Sequence, residues 1–149
     1  MTTTLEFLKP KGLFEPSGYS HVVVSHGPLI HVAGQVPTDV TGATIGVGDF
    51  RRQVEQVFAN LDLALAAGGG SFHSIAAMTI YCVSAVDRSE LKEISASLSK
   101  RTGRRAPPAI TVTFVASLLK PEWLIEVQAL GISGRISTPL ESAMIELGA

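Results

Sequence analysis

RAPPAITVTFVASLLKPEWLIEVQAL, residues Arg105 to Leu130, holds two strand patterns separated by a short loop. The alternation predicts strands over Ala109 to Leu118 and Trp123 to Ile132, joined through Lys120, Pro121 and Glu122. In the first, Ile110, Val112, Phe114 and Ala116 share one face, while Thr111, Thr113 and Val115 share the other. In the second, Ile125, Val127 and Ala129 point one way and Leu124, Glu126 and Gln128 the other. A carboxylate in a β-branched strand needs a reason, because burying an ionised group is costly unless it is paired or hydrogen-bonded. Glu126 either faces solvent or a cation, the commoner fate of a strand glutamate, or lines a cleft where it handles a proton or a water. Spacing alone favours the first.

Working outward, Ser74 to Ser84 (SIAAMTIYCVS) is a strand with two largely apolar faces, which points to a central, covered position. Asp87 is placed to cap a helix running to about Lys100, with Leu91, Ile94 and Leu98 as its buried stripe. Upstream, Asp49 is placed to cap a helix over Phe50 to Ala67, where Phe50, Val54, Val57, Phe58, Leu61 and Leu65 repeat at helical spacing. Gly68, Gly69 and Gly70 stop it. Tyr19 to Ser25 and Leu29 to Ala33 are strand-like on either side of His26-Gly27-Pro28, a hairpin signal. Residues 1–17 are turn-rich and predict an arm or a first short edge strand. After Gly134 the chain predicts one helical segment beyond Pro139 or an extension. The order is hairpin, helix, strand, helix, two strands, which predicts one α+β domain over residues 1–149, its core at about 18–132, with both helices on one face of a sheet.

Composition narrows the function classes. The 149 residues are 46% hydrophobic and 17% charged, more apolar and less charged than a typical soluble domain. No apolar run approaches the ~18 residues that would span a bilayer, so subunit contacts are the natural place for the surplus. With 12 basic and 13 acidic side chains, the net charge of −1 gives no electrostatic footprint for nucleic acid or an anionic membrane. Only Lys100 to Arg105 is locally basic. The start of the chain has neither a charged segment nor an apolar one of signal-peptide kind, and the single Cys82 cannot form an internal disulfide, so a reduced, cytoplasmic protein is expected.

The remaining chemistry-bearing residues have bland readings. His21 and His31 read as an exposed cross-strand pair, the four histidines lack close metal-ligand spacing, and no cofactor is implied. The glycine run follows a helix instead of preceding one, so no free helix N-terminus awaits a phosphate. Cys82 sits in an apolar strand where a thiol is usually inert. Trp123 reads as a core or interface anchor.

Taken together, GYSHVVVSHGPLIHVAGQVP (Gly18 to Pro37), RRQVEQVFANLDLALAAGGG (Arg51 to Gly70), IAAMTIYCVS (Ile75 to Ser84) and PPAITVTFVASLLKPEWLIEVQAL (Pro107 to Leu130) resemble the Rid family. This is the reactive intermediate deaminase, or YjgF, family. The resemblance covers Gly18 to Ile132. It implies a chorismate-mutase-like α+β fold with a mixed sheet, a barrel-like homotrimer, and small-molecule clefts between neighbouring subunits. In members with deaminase activity, an Arg just after a Pro-Ala pair grips the substrate carboxylate and a Glu on the last strand positions the attacking water. Their substrates are enamines and imines, and their products are 2-oxo acids and ammonia. The Glu carries over to Glu126, the cleft Tyr to Tyr19, and the Gly-Gln of the family's Ser-Gly-Gln to Gly34 and Gln35. Around these, Ala33, Thr111 and Val112 complete the expected ligand-binding wall.

Two positions depart from that pattern. The motif's Ser is Ala33, and the Arg position after Pro108-Ala109 is Ile110. A guanidinium makes two charge-assisted hydrogen bonds to a carboxylate and an isoleucine makes none. Losing such a contact in a desolvated site costs ~2–5 kcal/mol, a factor of roughly 30 to several thousand in binding. Arg104 and Arg105 are displaced by six and five residues, and so large a displacement rarely restores the geometry. The expectation is an arginine-lacking trimer that binds a small metabolite. If it is an enzyme, it is a cofactor-independent hydrolase of C=N bonds lacking a carboxylate at the usual place, with Glu126 as the catalytic residue. The alternative is a non-catalytic metabolite-binding, regulatory or chaperone-like trimer. A ribonuclease reading finds no His/Lys constellation to support it.

Overall fold

A computed structural model describes residues 3–103 and 106–134. The expectations for Arg104, Arg105 and the segment after Gly134 fall outside these residues. The elements in chain order are β1 (Thr4–Leu8), β2 (Val22–His26), β3 (Leu29–Gln35), α1 (Phe50–Ala67), β4 (Ile75–Val83), α2 (Leu91–Thr102), β5 (Ala109–Val115) and β6 (Ile125–Ile132). Four strands form a mixed sheet in the order β3-β6-β4-β5, and β1 pairs with β2 in a separate ribbon. Within the mixed sheet only β4 and β5 run parallel. The connection between them contains α2, since parallel neighbours require a crossover.

Side-chain alternation decides which face is covered. Ile30 and Val32, Met78, Ile80 and Cys82, and Ile125, Val127 and Ala129 are buried together with Phe58, Leu61 and Leu65 of α1 and Ile94 and Leu98 of α2. Every residue expected in the α1 stripe is buried, and fully removing a side chain such as Phe58 or Leu61 from water contributes about 1.5–3 kcal/mol. Asp49 caps α1 by accepting from the Arg52 N–H at 3.1 Å. The glycine run ends it: the Gly70 N–H reaches the Leu65 carbonyl (2.8 Å) and the Gly69 N–H the Ala66 carbonyl (3.0 Å). Gly69 has φ +79°, the left-handed turn of a Schellman ending.

Three expectations are corrected. Val22–His26 and Leu29–Gln35 do not form a hairpin, because β2 pairs with β1 and β3 pairs with β6. Long-range partners override the local turn signal at His26-Gly27-Pro28. His21 and His31 accordingly make no cross-strand pair; the His21 Nε2 hydrogen-bonds the Phe14 carbonyl at 2.8 Å. Asp87 caps a short 3-10 turn, Arg88–Glu90, and α2 begins only at Leu91. The expected first edge strand is present as β1, β4 is central, and Trp123 is a buried core residue.

Candidate functional site

The register of the central strands sorts the expected site residues into two groups. In the parallel pair, Ile110 stands beside Met78 and Val112 beside Ile80, so both project toward the helices. In the antiparallel pair, Glu126 stands opposite Tyr81 and Gln128 opposite Thr79. Tyr81 and Met78 differ by an odd number of residues and therefore point to opposite faces. Glu126 lies on the face the helices leave open. Thr111 shares that open face and is exposed.

On the helix side, Tyr19, Leu91, Ile94, Leu98, Ile110 and Val112 line a cleft of about 540 Å³ at the β5 edge. Ser95, Ser99 and Thr102 of α2 add hydroxyls to its wall, and no described lining residue carries a charge at neutral pH. The Thr102 hydroxyl donates to the Leu98 carbonyl at 2.9 Å. Ser20 fixes Tyr19 here: its N–H donates to the Pro108 carbonyl (2.9 Å) and its hydroxyl to the Pro107 carbonyl (2.5 Å). The Tyr19 ring also meets the edge of His21, with centroids 5.3 Å apart. Beyond Val112, the next helix-facing residue of β5 is Phe114, and the Arg88 guanidinium lies 4.7 Å from its ring centroid.

On the open face, β3 supplies the neighbours of Glu126. Val32 pairs with Ala129 and Gln35 with Val127, so Ala33 and Gly34 both stand opposite Gln128, a β-bulge. A Cβ built on Gly34 would meet the Glu126 carboxylate, whose Oε1, Cδ and Cγ are its nearest atoms. The Gln35 side-chain amide donates to the Ala33 carbonyl at 3.1 Å. Ala33, Gly34, Gln35 and Glu126 are thus brought together, and Tyr19, Ile110 and Val112 are brought together on the other face. The two groups do not meet within one copy of the chain.

A residue not singled out in the sequence organises the approach to Glu126. Gln53, on α1, is completely buried. Its amide donates to the carbonyls of Gly46 (3.1 Å) and Glu122 (2.9 Å), and its oxygen accepts the Leu124 N–H at 2.8 Å. The Trp123 indole N–H donates to the Thr44 hydroxyl at 3.1 Å, which donates to Glu122 at 3.2 Å. These bonds hold the segment that delivers β6 two residues before Glu126. Cys82 takes no part in such chemistry: burial pushes its thiol up to about 11, which suppresses the thiolate. Among the described residues no group of three or more His, Cys, Asp or Glu side chains could hold a metal ion. No described helix is long and apolar enough to cross a membrane.

A mixed sheet of this order, with two helices on one face, is the α+β architecture of chorismate-mutase-like proteins. The family model described as Endoribonuclease L-PSP matches residues 14–133, and the chain belongs to that family, the one also called Rid or YjgF. A RutC family protein of Pyrococcus horikoshii is 28% identical over 116 residues, spanning 78% of this chain and 88% of the relative. Protein DfrA of Myxococcus xanthus is 30% identical over 116 residues, 77% of this chain and 85% of its own. Among solved structures, the Rid family protein YyfB of Yersinia pestis superposes with a TM-score of 0.79 at 30% identity, covering 86% of this chain and 98% of that one. A YjgF family member from Mycobacterium tuberculosis gives a TM-score of 0.57 at 25% identity over 77% and 86% of the two chains.

Proposed function

We propose that this chain assembles as a homotrimer and binds a small neutral molecule in each cleft between copies, with Glu126 ordering or deprotonating a water that attacks a C=N carbon. The observation that carries this reading is the split just described. The open face presents a half-buried carboxylate, the helix side presents an uncharged cleft, and one sheet separates them. Packing the open face of one copy against the β5 edge of the next would give one ligand access to both. Ile110 then forms an apolar floor, Tyr19 hydrogen-bonds the ligand or the water, and the Ala33–Gln35 bulge shapes the opposite wall.

Balance requires only water: the carboxylate takes a proton as hydroxide oxygen bonds to the imine carbon. Glu126 returns that proton to the nitrogen, then takes the proton of the new hydroxyl and passes it to the same nitrogen, which leaves as ammonia as the C=O bond forms and the C–N bond breaks. Proton handling of this kind contributes typically 10²–10⁴-fold. Ile110 supports the exclusion of a carboxylate from the usual position, because it offers no hydrogen bond to one. The same residue favours the second reading, a trimer that binds a metabolite without turning it over. An endoribonuclease, as the family description has it, is less well supported by a cleft whose described lining is uncharged.

The test is ammonia release from freshly generated 2-aminoacrylate and from uncharged imines, for the unmodified chain, Glu126→Gln and Ile110→Arg. An enzyme of the proposed kind hydrolyses an uncharged imine, loses at least 10²-fold with Glu126→Gln, and gains 2-aminoacrylate hydrolysis only with Ile110→Arg. Unchanged turnover in Glu126→Gln would remove Glu126 from the chemistry. Ligand binding without turnover in every form would establish the metabolite-binding reading.

A further inference from the structure

We infer that Gly34 and the β3 bulge are the device that positions the Glu126 carboxylate, and that a side chain at Gly34 would displace that carboxylate, which occupies the space of the missing Cβ. The inference rests on the reading of Glu126 as the working carboxylate, and it concerns residues that act through Glu126.

β6 lies between β3 and β4, so the Glu126 side chain has a neighbour on each flank. On the β4 flank Tyr81 stands directly across. On the β3 flank, regular pairing would place one residue opposite Gln128. The bulge places two, Ala33 and Gly34. An extra residue bends its strand and leaves the ladder interrupted there, which turns the Gly34 Cα toward Glu126. Any Cβ at Gly34 would overlap the carboxylate, its Oε1 most severely and its Cδ at 2.9 Å. Gly34 has no positive φ, so backbone conformation does not account for glycine at this position. Space does. The Gln35 amide, bonded to the Ala33 carbonyl at 3.1 Å, closes a short loop around Gly34 and holds the bulge in shape.

The carboxylate therefore lies against bare backbone at the open face. Misplacing a reacting group by about 1 Å can cost on the order of 10²-fold. A side chain at Gly34 is expected to act through this displacement.

A double-mutant cycle separates this from a general need for a small residue in β3. Thermal unfolding would be compared for Gly34→Ala in the unmodified chain and in the Glu126→Ala chain. The expected result is a fall of ~3–6 °C in the first and a shift near zero in the second, where the colliding carboxylate is gone. Equal shifts in the two chains, or failure of Gly34→Ala to fold even with Glu126→Ala, would overturn the inference. With 13Cδ-labelled glutamate, the Glu126 resonance, identified by its loss in Glu126→Gln, should move in Gln35→Leu, which releases the bulge. An unmoved resonance there would exclude Gln35 from the device. Retained turnover in Glu126→Gln would instead remove the catalytic reading while leaving the coupling measurable.

Discussion

Gln53 shows at the scale of one residue how a polar side chain can be worth more inside than out. Its three bonds join α1 to the Gly46 loop and to the Glu122–Leu124 segment. In Gln53→Leu the side-chain volume is kept, but the Leu124 N–H and the Glu122 carbonyl lose the partner Gln53 gives them, while the Gly46 carbonyl keeps the Asp49 N–H. An unsatisfied buried group costs about 1–3 kcal/mol, so the variant should lose ~2–4 kcal/mol in urea denaturation. In sequence nothing marks Gln53, because hydrophobic periodicity has no symbol for a buried amide. Glu126 was legible as an unusual strand carboxylate, and its face was legible from alternation. Its seat on Gly34 was not, since a bulge depends on strand pairing that residue types do not announce.

Elements set by local signals are legible in the sequence, and those set by long-range pairing are not. Helix α1 was legible from Phe50 to Ala67 because a six-residue stripe, an Asp cap and a glycine stop all act locally. The hairpin failed because strand adjacency is a long-range property: β3 prefers β6, almost a hundred residues away, to β2 next door. The contact between the two helices adds a pH-dependent element. Arg101 of α2 binds Asp62 (3.0 Å) and Glu55 (3.5 Å) of α1 and stands over the rings of Phe58 and Phe72 at 5.5 Å each. Burial pushes the Glu55 carboxyl up, but the Ser97 hydrogen bond and the Arg101 and Lys100 charges outweigh it and leave it below the ordinary carboxylate value. A carboxylate lowered in the folded state stabilises it above its unfolded pKa, and that contribution is lost as pH falls through the folded value. Glu55→Gln should therefore be less stable at pH 7 by under ~1 kcal/mol, given its partial exposure. The gap should narrow in denaturation curves as pH falls below about 4.

On the whole molecule, one face of the mixed sheet is covered by α1 and α2, and the other bears half-buried Thr79, Tyr81, Glu126 and Leu130. A partly apolar open face on a chain this low in charge is the feature that favours self-association. Sedimentation at micromolar concentration should give three copies under the proposed assembly. Thr79→Lys, at the middle of that face, should yield monomers with unchanged circular dichroism, whereas a monomer in the unmodified chain would remove the composite cleft. The order β3-β6-β4-β5 carries one more consequence, for how the chain is made. The last of the described strands to leave the ribosome is inserted between two strands synthesised much earlier, so this four-stranded sheet cannot exist on a nascent chain that stops short of Ile125. Until then β3 and β4 have no common partner and their edges stand open to other chains. Arrested nascent chains ending before Trp123 should be protease-sensitive throughout, and those extending past Gly134 and clear of the exit tunnel should become protected in a single step.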